Sequence, residues 1–130
     1  MSKRRKSAGR SAGVAAACLS TKDGDNGRMP QLDHRVYFTL NDRSDAAVEH
    51  LVGQCQKYLG DHPGQISMAV GRRVSDLNRP VNQDFDVMLH TLFRDRQSHD
   101  AYQTADRHLE FIENNKASWA NVAVFDSDLC

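Results

Sequence analysis

The segment DFDVMLHTLF, residues 84–93, places the tightest constraint on the fold. It has the alternation of a β-strand, but apolar side chains occur on both of its faces. One predicted face holds Phe85, Val87, Leu89, Thr91 and Phe93, and the other holds Met88, His90 and Leu92. A strand that is apolar on both faces is normally buried on both sides. The chain therefore needs helices on one side of a sheet and a second cover on the other side.

The remaining elements follow from periodicity. Residues 34–40, 65–74 and 119–128 alternate as strands do. Residues 45–59 have an apolar stripe at helical spacing, and Ser44 is their N-cap. A second helical region is predicted from Ser98 to Lys116. The order β-α-β-β-α-β predicts an α+β, ferredoxin-like fold with one antiparallel four-stranded sheet and helices on one face.

The helix-free face of this sheet is also predicted to be apolar. Its candidate residues are Met88, Leu92, Val122 and Val124. An exposed apolar face of that size usually marks an interface. We therefore expect a homodimer in which two sheets pack face to face as a dimeric α/β barrel.

Charge separates a basic tail from an acidic domain. Residues 1–30 contain seven Lys or Arg and two Asp, and the remainder contains ten basic and fifteen acidic residues. Because residues 1–31 have no apolar periodicity, we expect a disordered tail before a domain at 32–128. We expect a cytoplasmic protein, with export through the basic N-terminus as the alternative. The domain is expected to bind neither nucleic acid nor membrane.

The sequence contains no motif for a metal or a cofactor. Cys18, Cys55 and Cys130 share no metal-ligand spacing, and an odd number of cysteines favours a reducing compartment. His99 and His108 are nine positions apart, which matches no compact metal motif. No Gly-rich phosphate loop or nucleophile elbow is present. We therefore predict no cofactor and no metal site. The acidic residues of loops and edges are interpreted as solvated charges: Asp84, Asp86, Asp95, Asp100 and Asp106.

Four segments resemble the stress-responsive A/B barrel (Dabb) family, the dimeric α+β barrel proteins. They are DHRVYFTL, FDVMLHTLFRD, AYQTADRHLEF and WANVAVFDSD, and the resemblance covers residues 32–128. It implies a homodimer with a small apolar ligand pocket between the sheet and the helices of each protomer. Most members have no established activity, and one plant member is a polyketide cyclase.

The resemblance also implies a set of site residues. A strand-one histidine, a tyrosine and a later histidine line the pocket of the cyclase, and His34, Tyr102 and His108 are the matching positions. In that chemistry His108 removes a proton from an acidified carbon, Tyr102 hydrogen-bonds the enolate oxygen, and His34 orients the other groups. The step requires no metal or redox cofactor.

Tyr102 and His108 can share a pocket only if the helical region breaks between them. Residues six apart in one α-helix point about 120° apart. Many family members have His-Pro where this chain has Ala105 and Asp106. We expect Asp106 to be the N-cap of a new helix, with His108 in its first turn. There the partial positive charge of the helix terminus disfavours an imidazolium.

Three functions stay open at this stage. One is a dimeric barrel protein with little or no catalytic activity that binds a small apolar ligand. The second is an enzyme that acts on a polyketide-like or aromatic substrate by acid–base chemistry. The third is a heme-free monooxygenase of the antibiotic-biosynthesis type. Ordinary structural roles compete with all three: a backbone-bonded His34, a packed Tyr102, and a solvated or capping His108.

Overall fold

The computed structural model describes residues 29–130, so the predicted tail lies almost wholly outside the described part and stays a prediction. The elements in chain order are β1 Leu32–Leu40, α1 Asp45–Tyr58, β2 Gln65–Arg72, β3 Val87–Phe93, α2 Arg96–Gln103, α3 Asp106–Asn115 and β4 Trp119–Asp128, with a 3₁₀ turn at Lys116–Ser118. The strands form one antiparallel sheet in the order β2-β3-β1-β4. This is the predicted ferredoxin-like α+β fold, with the second helical region divided in two.

The core lies between the sheet and the helices. Alternate residues of β1 are buried from Leu32 to Leu40, as their apolar pattern predicts. The stripe of α1 packs on them, and Ser44 caps this helix by accepting a hydrogen bond from the backbone N–H of Ala47. The core cluster consists of Leu32, Val36, Phe38, Leu40, Val48, Leu51, Cys55, Tyr58, Leu59, Val87, Leu89, Phe93, Tyr102 and Phe111.

The strand register corrects the predicted faces of β4. Val122 and Val124 are paired with Phe38 and Val36 of β1. Directly opposite residues on paired strands share a face, and Phe38 and Val36 are buried beneath the helices. The prediction that Val122 and Val124 lie on the helix-free face was therefore wrong. They face the helices and border a cavity, which leaves them 37% and 51% exposed.

The start of β3 also differs from the prediction, because the strand begins at Val87 rather than at residue 84. Asp86 is buried, and its carboxylate accepts hydrogen bonds from the Leu40 N–H (2.9 Å) and from Arg43 Nε (3.0 Å). The interpretation of Asp86 as a solvated charge was wrong. Phe85, predicted on the helix face, instead packs edge-on against Tyr37, with ring centroids 5.0 Å apart.

The helix-free face of the sheet, here called the open face, has its own concave apolar surface. Tyr37 packs against both Phe85 and Phe125, and Phe125 is 58% exposed. Together with Arg35, Ala123 and the loop before β3, these rings line a groove of about 460 Å³. Within residues 29–130, no helix has the length and apolar character needed to cross a bilayer.

Candidate functional site

The helical region breaks between Tyr102 and His108. Helix α2 ends at Gln103 with Thr104 as C-cap, and α3 begins at Asp106. The N-cap of α3 is Ala105 in an extended conformation (φ −63°, ψ 142°), with no side-chain cap bond. The predicted break is confirmed, but Asp106 as its N-cap was wrong. Asp106 is the first helical residue, where a negative charge interacts favourably with the helix dipole.

A cavity of about 420 Å³ lies between the sheet and helices α2 and α3. Its polar lining residues are His34, His99, Tyr102, Gln103, His108 and Asp126. Its apolar lining residues are Val36, Phe38, Leu59, Leu89, Phe111, Ile112, Trp119, Val122 and Val124. All three residues that the resemblance pointed to therefore line one cavity.

His108 presents a free imidazole nitrogen. Its Nδ1 lies 3.1 Å from the carbonyl oxygen of Gln103, and because a carbonyl only accepts, Nδ1 bears the proton. Nε2 thus keeps its lone pair and has no hydrogen bond within residues 29–130. Burial lowers the pKa of His108, and the nearby His34, His62 and His99 add to this against the opposing effect of the Gln103 carbonyl. His108 is therefore a neutral imidazole near pH 7.

Tyr102 has a buried hydroxyl group without a partner. The residue is 2% exposed, and its Oη makes no hydrogen bond to any group of residues 29–130. Burial, with a smaller effect of Cys55, raises the pKa of this phenol, so the group stays protonated and can donate. The ring centroids of Tyr102 and His108 are 4.5 Å apart.

His34 is held by a residue of the neighbouring strand. It is paired with Asp126 of β4, and its Nδ1 donates to Asp126 Oδ1 over 2.5 Å. The His34 ring is buried and lies 6.1 Å from the Tyr102 ring, centroid to centroid. His34 is therefore bonded to a side chain rather than to the backbone, and Asp126 fixes its orientation.

Sequence reasoning missed His99, Gln103 and Asp126. His99 Nε2 lies 3.2 Å from His34 Nδ1. The same nitrogen of His99 accepts a hydrogen bond from Gln103 Nε2 over 2.8 Å. Burial lowers the pKa of His99, and the neighbouring His34 lowers it further. The sequence did contain a signal for His99 and Gln103. Together with Tyr102 they follow i, i+3, i+4 spacing, so the three residues share one face of a helix. Asp126 was missed because β4 had been assigned the wrong faces.

Fold and cavity together define a class: small ferredoxin-like α+β proteins with a ligand-sized space between the sheet and its helices. Comparison with protein families agrees with this class of fold and identifies one family within it. The chain belongs to the stress responsive A/B barrel domain family, whose model matches residues 32–129. No curated protein matches the chain significantly.

Solved structures with the same fold are similar over most of their length. A Dabb family protein with a ferredoxin-like fold from Mesorhizobium loti is 17% identical, covers 78% of this chain and 99% of its own, and has a TM-score of 0.66. A dimeric ferredoxin-like protein of unknown function from Thermobifida fusca is 18% identical, with coverages of 78% and 92% and a TM-score of 0.65. The hydroxynitrile lyase from Passiflora edulis is 11% identical, with coverages of 78% and 94% and a TM-score of 0.66.

Proposed function

We propose that the cavity between the sheet and the helices binds a small, mainly apolar ligand through an oxygen atom. The unpartnered hydroxyl of Tyr102 is the observation that supports this most strongly. Leaving a buried hydroxyl without a hydrogen bond costs about 1–3 kcal/mol, and an oxygen of the ligand would remove that cost. The cavity volume of about 420 Å³ falls within the range of small-molecule sites.

The lining indicates the shape of the ligand. Nine apolar side chains surround the cavity, whereas the polar groups belong to α2, the start of α3 and the neighbouring strands β1 and β4. The indole Nε1 of Trp119 is a second buried donor that has no hydrogen-bond partner among residues 29–130. A hydrocarbon or aromatic body with a carbonyl or hydroxyl group at the polar end fits this distribution.

Acid–base catalysis on such a ligand is the second function that a specific observation favours. Neutral His108 has a free Nε2 lone pair, and Tyr102 beside it is a donor. His108 would take the proton of a carbon next to a carbonyl group, and the C–H electron pair would move into an enolate. Tyr102 would then hydrogen-bond the enolate oxygen. The resemblance to a polyketide cyclase supports a polyketide-like or aromatic substrate, and the Passiflora edulis neighbour supports only that this fold can contain a lyase site.

We also propose that the protein is a homodimer joined through the open face. That face has exposed Phe125 beside Tyr37, and its partly buried polar groups are already paired with each other. Asp33 accepts hydrogen bonds from His90 and from Arg35. Burial alone would raise the pKa of Asp33, but these two partners outweigh it and lower the pKa. The Thermobifida fusca neighbour is described as dimeric, which agrees with a second copy as the cover.

Ligand binding can be followed through Trp119, which is the only tryptophan of the chain and lines the cavity. We expect an alkylresorcinol to change its fluorescence and native mass spectrometry to detect one ligand per protomer. Tyr102→Phe should weaken binding about 3- to 10-fold, because it removes one hydrogen-bond donor. Tyr37→Phe, on the open face, is the matched control and should bind as the wild type does. Equal affinity of all three proteins would contradict the ligand site.

Catalysis needs a separate measurement. In D₂O, His108 should exchange the α-proton of an alkyl aryl ketone, which NMR detects without knowledge of the natural substrate. His108→Gln should slow this exchange about 100-fold or more, as expected for loss of a general base. If His108→Gln binds the ketone and exchanges it at the wild-type rate, His108 is not the base, while the binding proposal stands.

A further inference from the structure

Three potential metal ligands from three different elements meet at the polar end of the cavity. They are His34 of β1, His99 of α2 and Asp126 of β4. One ligand atom from each residue lies within 4.8 Å of the other two. His34 Nδ1 lies 2.5 Å from Asp126 Oδ1 and 3.2 Å from His99 Nε2. Both histidines are buried. The sequence could not show this cluster, because the three residues are far apart along the chain.

The hydrogen bonds leave a single proton among these three atoms. The Asp126 carboxylate can only accept, so His34 Nδ1 donates to it. Gln103 donates to His99 Nε2, so that nitrogen has a lone pair rather than a proton. His34 Nδ1, 3.2 Å away, therefore faces two acceptors with one proton. A cation can take the place of this proton only if the Gln103 amide turns away, because the one lone pair of His99 Nε2 accepts from Gln103 in this structure.

We propose that His34, His99 and Asp126 bind a divalent transition-metal ion of the Zn²⁺ type. Zinc bonds to histidine nitrogen of about 2.0–2.1 Å place tetrahedral ligands about 3.3 Å apart. The two imidazole nitrogens already have that separation, at 3.2 Å. The His34–Asp126 contact of 2.5 Å must lengthen. Asp126 can withdraw easily, since its side chain is 42% exposed on an edge strand.

The composition of the site selects the type of ion. Two imidazoles and one carboxylate suit Zn²⁺, Co²⁺ or Fe²⁺, whereas Mg²⁺ and Ca²⁺ prefer all-oxygen ligands. Three protein ligands leave a coordination position for a water molecule or a substrate oxygen, as in catalytic zinc sites. All three residues line the same cavity as Tyr102, so a molecule in that cavity could reach an ion bound there. The metal site is a separate property from the proposed ligand binding, which requires only the Tyr102 hydroxyl.

Metal binding has a consequence for His34. A metal ion on Nδ1 moves the ring proton to Nε2, so His34 changes its tautomer. His108 keeps its proton on Nδ1 because the Gln103 carbonyl holds it there. ¹⁵N NMR of the histidine side chains distinguishes the two tautomers directly.

The test uses the full chain after treatment with a chelator, titrated with Zn²⁺ against a chromophoric chelator and, in parallel, with Co²⁺ monitored by visible absorption. We expect one Zn²⁺ per chain, no competition from excess Mg²⁺, and a switch of the His34 tautomer. Asp126→Asn and His99→Gln should each weaken binding about 10- to 100-fold or more. His50→Gln is the control, because His50 is an exposed histidine of α1. The buried Cys55 thiol is present in all four proteins and cannot produce a difference between them.

Wild-type affinity in both Asp126→Asn and His99→Gln would overturn the metal site, as would the absence of stoichiometric Zn²⁺ binding by the wild type. Asp126→Asn is the safer variant for folding, since Asp126 is half-exposed, and circular dichroism checks it. Tyr102→Phe should keep the Zn²⁺ affinity and bind the alkylresorcinol about 3- to 10-fold more weakly. This variant therefore separates a failure of the metal site from a failure of the proposed ligand binding.

Discussion

The rings of Tyr102 and His108 lie 4.5 Å apart although the two residues belong to different helices. In one continuous helix they would point about 120° apart. The extended backbone of Ala105 turns α3 back toward the cavity and brings His108 beside Tyr102. The geometry of the site thus depends on a break of two residues, Thr104 and Ala105.

Proline at the start of α3 should stabilise this break. Asp106 is the first helical residue, a position that proline favours, and Ala105 already has the extended backbone that precedes a proline. We expect Asp106→Pro to be more stable than Asp106→Ala by about 0.4–1 kcal/mol, because it restricts the unfolded chain. Urea unfolding measures the free energy of unfolding of both variants. Because both lack the carboxylate of Asp106, the difference between them reports the effect of proline alone.

Proline further along the same helix is the control for that prediction. The backbone N–H of Leu109 donates to the Ala105 carbonyl over 3.0 Å. Leu109→Pro removes this bond and should destabilise the protein by about 3 kcal/mol. Similar losses from Asp106→Pro and Leu109→Pro would mean that no helix begins at residue 106.

Two tyrosines should respond differently to loss of the hydroxyl group. Tyr102→Phe removes a hydroxyl that has no partner within residues 29–130, so the free energy of unfolding should stay equal or rise slightly. Tyr58→Phe removes a hydroxyl that donates to Glu110 over 2.8 Å, and should cost about 0.5–1.5 kcal/mol. Urea unfolding of both variants checks this. A larger loss for Tyr102→Phe would show that its hydroxyl has a structural partner.

The lowered pKa values of His108 and His99 should make stability depend on pH in the weakly acidic range. The folded-state pKa of His108 lies below its ordinary value of 6.5, so the unfolded state binds more protons below that pH. The free energy of unfolding should therefore decrease as the pH falls through about 6.5. His34, His62 and His99 face His108, and His99 shifts in the same direction, so His108→Asn should reduce the decrease without abolishing it. The prediction fails if the free energy of unfolding of His108→Asn depends on pH as steeply as that of the wild type. It also fails if His50→Asn reduces this pH dependence by the same amount.

A charge on the open face should prevent dimer formation. Phe125 is 58% exposed beside Tyr37, and a second copy would bury it. Phe125→Asp should shift the species seen by multi-angle light scattering from dimer to monomer. Leu109→Asp is the matched control, because Leu109 is a comparably exposed apolar residue (49%) on α3. A wild-type protein that is monomeric at micromolar concentration would contradict the dimer itself.

The thiol of Cys55 should be unreactive in the folded protein. The residue is fully buried, and burial raises the pKa of its thiol to about 12. Iodoacetamide should therefore label the peptide that contains Cys55 only after urea is added, as measured by mass spectrometry. Rapid labelling without urea would show that α1 opens readily from the sheet.

Much of the fold followed from local patterns. The alternation in β1 predicted its buried face correctly, and the apolar stripe with Ser44 located α1 to within a residue. These features depend on neighbouring residues of one element, and burial of one apolar face is enough to specify them. The order of the elements then predicted the ferredoxin-like architecture. The resemblance in four segments predicted the stress-responsive A/B barrel family, which the family comparison confirmed.

Only the tertiary structure decided which groups meet in the cavity. The register between β1 and β4 placed Asp126 opposite His34 and turned Val122 and Val124 toward the helices, and no local pattern of β4 determines that register. The path of the chain after Thr104 brought His99 and His108 to the same space. An alternating sequence determines that a strand has two faces, but pairing with another strand determines which face meets the helices. For this protein the sequence defined the layers, and the packing of those layers defined the site.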